Sequence, residues 1–463
     1  MCSVPQADGE RGFGSGGGYA FVACVMISSP ITTELAVWYL QNGVFIGYGV
    51  TALAAWFLTE AFRREKLRRL LPDRTRHWAA SVLLLTVACG FYESFMIVYL
   101  VAVFLVFFLL RVYEREEYDR RVSGWLLLGS AAAILSVLLR FVITRFLIWW
   151  FHLENSRNVL ESRGIHEFLR WFDGSRTWDD FSFVMQEFLV KYYVNGAVYL
   201  PILLFVMAVA VILGFAVCLS WKKGDFLILA SALGAVGVPW LLPILEGRVT
   251  AYRSSQYIPL VCAFAVLLIL GEAQKRKVRG LVKGLGVFLM AALLYRQIYE
   301  TGKWLYLDVR KYEDTKNTLE DLAWVIRSSY DSSKPICIIG AYQTPESLLE
   351  ETYSPVWSKK TMAVKYVILH FLDDRIWEKY ASDEGYFFAE TPRLSFLEWG
   401  ATAFYGFDRE IIKLWELLGY RFTEDGNLEH YEEARELMKE GPVWPEKGSV
   451  VEKEDHIIVN FGG

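Results

Sequence analysis

The sequence predicts a polytopic α-helical membrane protein of eight or nine spans with a C-terminal extracytoplasmic α/β domain. Three observations carry this. The 463 residues are 54% hydrophobic and 16% aromatic but only 22% charged, with a mean hydropathy of +0.27. That composition excludes disordered, collagenous and small disulfide-scaffold chains. The long apolar runs end near residue 298, and the charge balance reverses at the same point. Residues 1–299 hold 29 basic and 21 acidic side chains, whereas residues 300–463 hold 19 and 31. The expected division is a transmembrane domain over 1–298 and an extracytoplasmic domain over 299–463.

The spans follow in order. Tyr19–Pro30 is apolar but short, a marginal span or a helix lying on the membrane surface. Leu35–Leu58 reaches the roughly 20 residues that a crossing needs. Trp78–Leu110 holds one charge, Glu93. At about 1.5 Å per residue it would measure on the order of 50 Å, too long for one crossing. Two spans turning near Gly90–Ser94 account for it. Val122–Leu139, Tyr192–Trp221, Phe226–Leu245 and Ser254–Gly271 follow. Gly280–Tyr295 is shorter, with Lys283 able to snorkel to the interface.

Sidedness comes from Lys and Arg. Residues 61–77 hold seven of them; Arg111, Arg115, Arg120 and Arg121 form a second cluster. Lys222–Lys223 and Lys275–Arg279 form two more. Two crossings separate each consecutive pair, so all four clusters fit the cytoplasmic side of a multi-pass protein of the cytoplasmic (inner) membrane. The turn at Glu93, the loop after Phe151, the turn Glu246–Arg253 and everything beyond Tyr295 then face outward.

In the C-terminal part, Lys316–Ser329 reads as a helix and Pro335–Gly340 as a short buried strand. Asp408–Tyr420 reads as an amphipathic helix stopped by Gly419, and Gly448–Phe461 as a hairpin around Lys453–Asp455. Cys337 is the one cysteine there, so no internal disulfide is possible.

Several chemistries lose support. The six histidines show no HxxxH or HExxH spacing and the six cysteines no CxxC, so neither a metal site nor a Ser-His-Asp hydrolase is expected. No Gly-rich nucleotide loop is present and no cofactor is expected. Basic clusters flank apolar runs, which marks topology and membrane lipids rather than nucleic acid. What remains is charge at the outer membrane border. Glu93 interrupts an apolar run, and Arg140, Arg145, Arg248 and Arg253 flank outer span ends. Ionisable groups at that depth are costly and mark function, and guanidinium suits phosphate. Simple snorkelling of Arg140 and Arg145, and pairing of Glu246 with Arg248, are the bland alternatives. The flank Arg140–Phe151 is amphipathic and aromatic and suits the interface; the aromatics of the loop with Trp171 and Trp178 could stack on sugars or form an interfacial belt, and residue by residue that loop reads as structural rather than catalytic.

Leu437–Phe461, LMKEGPVWPEKGSVVEKEDHIIVNF, carries a more specific signal. Met438, Pro442, Trp444, Pro445, Gly448, Ser449 and Val450 resemble the closing motif of the bacterial serotype-conversion membrane glucosyltransferases, the Gtr type II family. Two extra residues separate Met438 from Pro442. Ser395–Gly400, Leu418-Gly419-Tyr420, Lys334-Pro335, Tyr92-x-Ser94 and Tyr252-Arg253-Ser254 resemble further pieces in the same order. The resemblance implies a GT-C-like glycosyltransferase that moves a sugar, glucose above all, from a polyprenyl-phosphate carrier to a surface glycan acceptor on the outer face. It also implies that this chain lacks the family's first transmembrane helix. Gly9–Pro30 then corresponds to the end of an acidic outer loop running into an amphipathic helix. On that basis Asp8 and Glu10 are the favoured catalytic acids. Local chemistry favours Glu93 instead, as a carboxylate partly withdrawn from water; the family's Tyr-Gln is Tyr92-Glu93 here. A lipid-sugar transporter would call for paired helical repeats, which the sequence does not display. An inactive glycan-binding relative follows if the acidic loop is lost.

Overall fold

The computed structural model describes residues 16–32, 43–63, 72–113, 122–152, 170–195, 202–249, 254–275, 281–340, 342, 345, 362–380 and 410–462. The chain divides into two compact units, Met1–Thr301 with Val356–Gly385, and Gly302–Pro355 with Tyr386–Gly463.

The first unit is helical: α1 (Gly16–Ile27), α2 (Val44–Ala61), α3 (Pro72–Phe91), α4 (Phe95–Val112), α5 (Val122–Trp150), α6 (Trp178–Leu189), α7 (Ile202–Lys223), α8 (Phe226–Gly237), α9 (Leu241–Glu246), α10 (Tyr257–Lys275) and the first part of α11 (Leu281–Ser329). Five described stretches are long and apolar enough to cross a membrane: Val44–Ala61, Phe95–Val112, Gly124–Trp150, Phe205–Lys223 and Phe226–Glu246. Tyr257–Gly271 is a shorter apolar helix. The chain is therefore a mostly helical membrane protein.

Helices α2 to α5 alternate in direction, and α4 fixes two ends. At one end Phe62 stacks on Trp125 at 4.3 Å, with the Arg74 guanidinium 5.1 Å from the Phe62 ring. There Arg111 Nε donates to Asp225 Oδ2 at 2.8 Å and Lys223 Nζ donates to the Val112 carbonyl at 2.7 Å. At the other end, the bare backbone of Gly43 and Gly47 receives the rings of Phe91 and Phe95, where a Cβ would overlap them. The 18 residues of α4 set the two ends about 27 Å apart.

The turn expected at Gly90–Ser94 lies between α3 and α4. Other boundaries differ from the hydropathy reading. Helix α5 runs eleven residues past Leu139, because the apolar stretch continues around Arg140 and Arg145 to Trp150 and no Gly or Pro stops it. Gly280–Tyr295 opens α11, a continuous helix of 49 residues with no proline to stop it. Phe226–Glu246 is instead broken into α8, a 3-10 turn and α9 around Pro239 and Pro243, which lack the donor a regular helix needs. The start of the expected Leu35–Leu58 span lies outside the described residues.

Two further helices, α12 (Met362–His370) and α13 (Asp374–Tyr380), pack with the first unit. Leu369, Ile376 and Tyr380 bury against Val190 and Phe183. Arg375 bridges Asp373 and Asp179, and Gln186 Oε1 accepts from the Asp373 N–H at 2.9 Å.

The second unit sets the later part of α11, with α14 (Glu410–Leu417) and α15 (Leu428–Leu437), beside a sheet of β1 (Ile336–Ile339), β2 (Val450–Glu452) and β3 (Ile457–Asn460). The strand order is β1-β3-β2, with β1 parallel and β2 antiparallel to the central β3. Leu319, Leu322, Ala323 and Ile326 recur at helical spacing and bury against the sheet and Trp415. The closing motif has a structural role here. Trp444 N–H donates to the Asn460 carbonyl at 2.8 Å, and Asn460 Nδ2 donates to the Pro442 carbonyl at 2.9 Å, binding the motif to β3.

Candidate active site

Glu93 occupies the tight turn between α3 and α4. Arg140, on α5, forms an ion pair with it through Nη1 and Oε1. The two sequence candidates meet although 47 residues separate them. The Arg140 side chain is 29% exposed and that of Glu93 65%, so the protein itself does not withdraw this carboxylate from water as the sequence reading expected. Arginine has five donors, so Arg140 can hold Glu93 and still offer hydrogen bonds to a phosphate oxygen.

The residues around Glu93 are held differently. Tyr92 shares a hydrogen bond with Ser254 at 3.3 Å. This joins the Tyr92-x-Ser94 piece to the start of the segment that follows Arg253. Ser94 stands at the N-cap of α4, yet its side chain makes no cap bond, and its buried hydroxyl has no partner among the described residues. An N-cap serine ordinarily spends its oxygen on a helix N–H, which contributes about 1 kcal/mol. Gln256 is fully buried, and neither its amide oxygen nor its nitrogen has a partner among the described residues. Buried polar groups left over in this way call for an explanation.

Residues of the segment before α6 converge on α9. Trp171 Nε1 donates to the Ile244 carbonyl at 2.7 Å. Arg176 lies over the Trp171 ring, 5.0 Å from its centroid, and donates to the Gly247 carbonyl. Gly247 ends α9 with φ +62°, and a side chain there would overlap the Arg176 guanidinium. Thr177 caps α6 in a box with Asp180, and hydrogen bonds from Thr177 hold the Asp180 carboxyl below its ordinary range. Arg248 follows Gly247 and is exposed. Arg145 stacks over Phe141 at 5.5 Å on the exposed extension of α5. Asp8, Glu10 and Arg253 lie outside the described residues.

Sequence reasoning missed Arg176 and Gln256. Arg176 borders no apolar run, so the span-edge argument passes over it. Gln256 interrupts the start of an apolar run as Glu93 does, and the same rule, extended to neutral polar side chains, would have found it.

Alternating apolar helices with a charged turn at one end and tethered basic residues at the other define a polytopic membrane protein with a polar site at one end of its helices. The family model described as Glucosyl transferase GtrII matches residues 15–270, more than half of the chain, and the chain belongs to that family. It is accordingly a membrane glucosyltransferase. No curated protein and no solved structure matches it. The matched region contains Glu93, Arg140, Arg145, Arg248 and Arg253 and ends before the motif at Leu437–Phe461.

Proposed function

We propose that the protein transfers glucose from a polyprenyl-phosphate carrier to a surface glycan on the non-cytoplasmic face of the cytoplasmic membrane. One observation supports this above others. The Glu93–Arg140 pair lies at the opposite end of α4 from Arg111 and Lys223, the residues that the positive-inside bias assigns to the cytoplasm. A lipid donor carries its phosphate at the membrane border, at the level of such a pair.

In this reading Glu93 is the general base. It takes the proton of the acceptor hydroxyl as that oxygen bonds to the anomeric carbon, while the bond from that carbon to the phosphate oxygen breaks. The phosphate leaves on the lipid, its charge held by Arg140 with Arg248 and Arg253, and with Arg145 as a further ligand. Asp8 and Glu10 are the carboxylates that would take over the base role if Glu93 only positions Arg140. The C-terminal domain, residues 299–463, faces outward in the same scheme.

Membranes containing the full chain are expected to transfer glucose from polyprenyl-phosphate glucose and not from a nucleotide sugar. Use of the nucleotide sugar alone would overturn the donor assignment. Full activity in Glu93→Gln, with loss in the double variant Asp8→Asn and Glu10→Asn, would move the base to the N-terminal acids. A reporter fused after Gly463 that works only in the cytoplasm would overturn the sidedness.

A further inference from the structure

Asp425, His430 and His456 meet in the second unit from separate parts of the chain, at spacings that give no metal signature in the sequence. Asp425 is fixed to β1: Ile336 N–H donates to the Thr423 carbonyl at 2.8 Å and Asp425 N–H donates to the Ile336 carbonyl at 3.1 Å. His430 stands in the first turn of α15, and His456 precedes β3 in the hairpin closed by Lys453 N–H donating to the His456 carbonyl at 2.8 Å. One donor atom from each of the three lies within 4.8 Å of the others.

The hydrogen bonds sort the ring nitrogens. His456 is 2% exposed, and its Nδ1 lies 2.8 Å from Asp455 Oδ1. Its Nε2 is buried and has no partner among the described residues. An imidazole that donates from Nδ1 to a carboxylate carries its lone pair on Nε2, the form in which histidine binds a metal. His430 mirrors it: Nε2 lies 3.1 Å from the other Asp455 oxygen, and Nδ1 lies 2.6 Å from Asp425 Oδ2. Asp455 thus spans both rings, which leaves His430 Nδ1 on the Asp425 carboxylate and His456 Nε2 without a partner among the described residues.

We propose that His456 Nε2, His430 Nδ1 and the Asp425 carboxylate bind a zinc-class divalent ion, with Asp455 orienting both rings from outside. Two imidazoles and a carboxylate are a zinc donor set. The contact between His430 and Asp425 needs a proton; the ion replaces it and the proton passes to solvent. Ligands at about 2.0–2.1 Å from a tetrahedral ion lie about 3.4 Å apart. The rings, stacked with centroids 4.2 Å apart, therefore turn and close inward on binding. The ion clips the β2–β3 hairpin to α15, beside the Lys453–Glu433 pair that already joins them.

The test uses the full-length protein in detergent, stripped of metal and free of any polyhistidine tag, titrated with Co2+ and then Zn2+. One Co2+ per chain is expected, with visible absorption bands that Zn2+ removes, and a thermal transition raised by Zn2+. His456→Gln should weaken Zn2+ binding at least about 100-fold and Asp455→Asn about 10- to 100-fold. No saturable uptake by the unaltered chain, or unchanged affinity in folded His456→Gln, overturns the site. Should His456→Gln fail to fold, the exposed Asp455→Asn carries the test, and unchanged affinity there overturns the site equally.

Discussion

Each end of α4 carries an arginine–carboxylate pair, and the two are built to different ends. Arg111 and Asp225 are about one-fifth exposed, and Asp225 also caps α8 by accepting from the Leu227 N–H at 3.1 Å. Lys223 closes on the Val112 carbonyl beside them. The pair is mostly buried and its carboxylate also caps a helix, as in an anchor. Around Arg140 and Glu93 hydrogen-bonding capacity is left over: the carboxylate is mostly exposed, and Ser94 and Gln256 are buried with polar atoms to spare. A buried pair holds helices together, whereas an exposed one beside unspent polar atoms is open to something that arrives.

That contrast can be broken in order of effect. Glu93→Gln should reduce glucosyl transfer by about 10²- to 10⁴-fold, the range of a lost general base, with the fold intact by thermal melting. A smaller loss would demote Glu93 to a positioning role. Arg140→Ala should cost about 1.5–3 kcal/mol of transition-state stabilisation, roughly ten- to a hundredfold in kcat/KM for the lipid donor. Asp225→Ala should do the reverse of both. It should destabilise the fold by about 1–3 kcal/mol through the lost cap and ion pair while leaving transfer per folded molecule unchanged. A drop in intrinsic activity there would erase the distinction between the two ends. Gln256→Leu is the mildest and most diagnostic. Removing an unpartnered buried amide should leave the melting temperature equal or higher. If that amide meets substrate, KM should rise about threefold to tenfold.

Much of this was legible beforehand, for physical reasons. The turn at Glu93 follows from arithmetic, since a predominantly apolar stretch of 33 residues is too long to cross once and its single charge marks the exit. The β2–β3 hairpin follows from apolar runs on either side of Lys453–Asp455. The pairing of Glu93 with Arg140 was not legible, because it depends on how α5 packs and on its continuing past the apolar run. Nor was the Asp425, His430 and His456 cluster, whose members come from a loop, a helix and a hairpin and share no local spacing. Sequence patterns report what one element needs; they are silent on what two elements bring to the same point.

The seat formed by Gly43 and Gly47 has a consequence for the enzyme's reach. Phe91 and Phe95 bracket Tyr92, Glu93 and Ser94, and both rings rest on those two glycines. Two residues with no side chain thereby set how far the carboxylate stands from the bundle. A single methyl group at either position would shim the turn outward by a bond length or more. Displacements near 1 Å can cost a reaction about a hundredfold. The calibration of the carboxylate is therefore written at the start of α2, in a helix and its N-cap that contribute no polar atom to the pair.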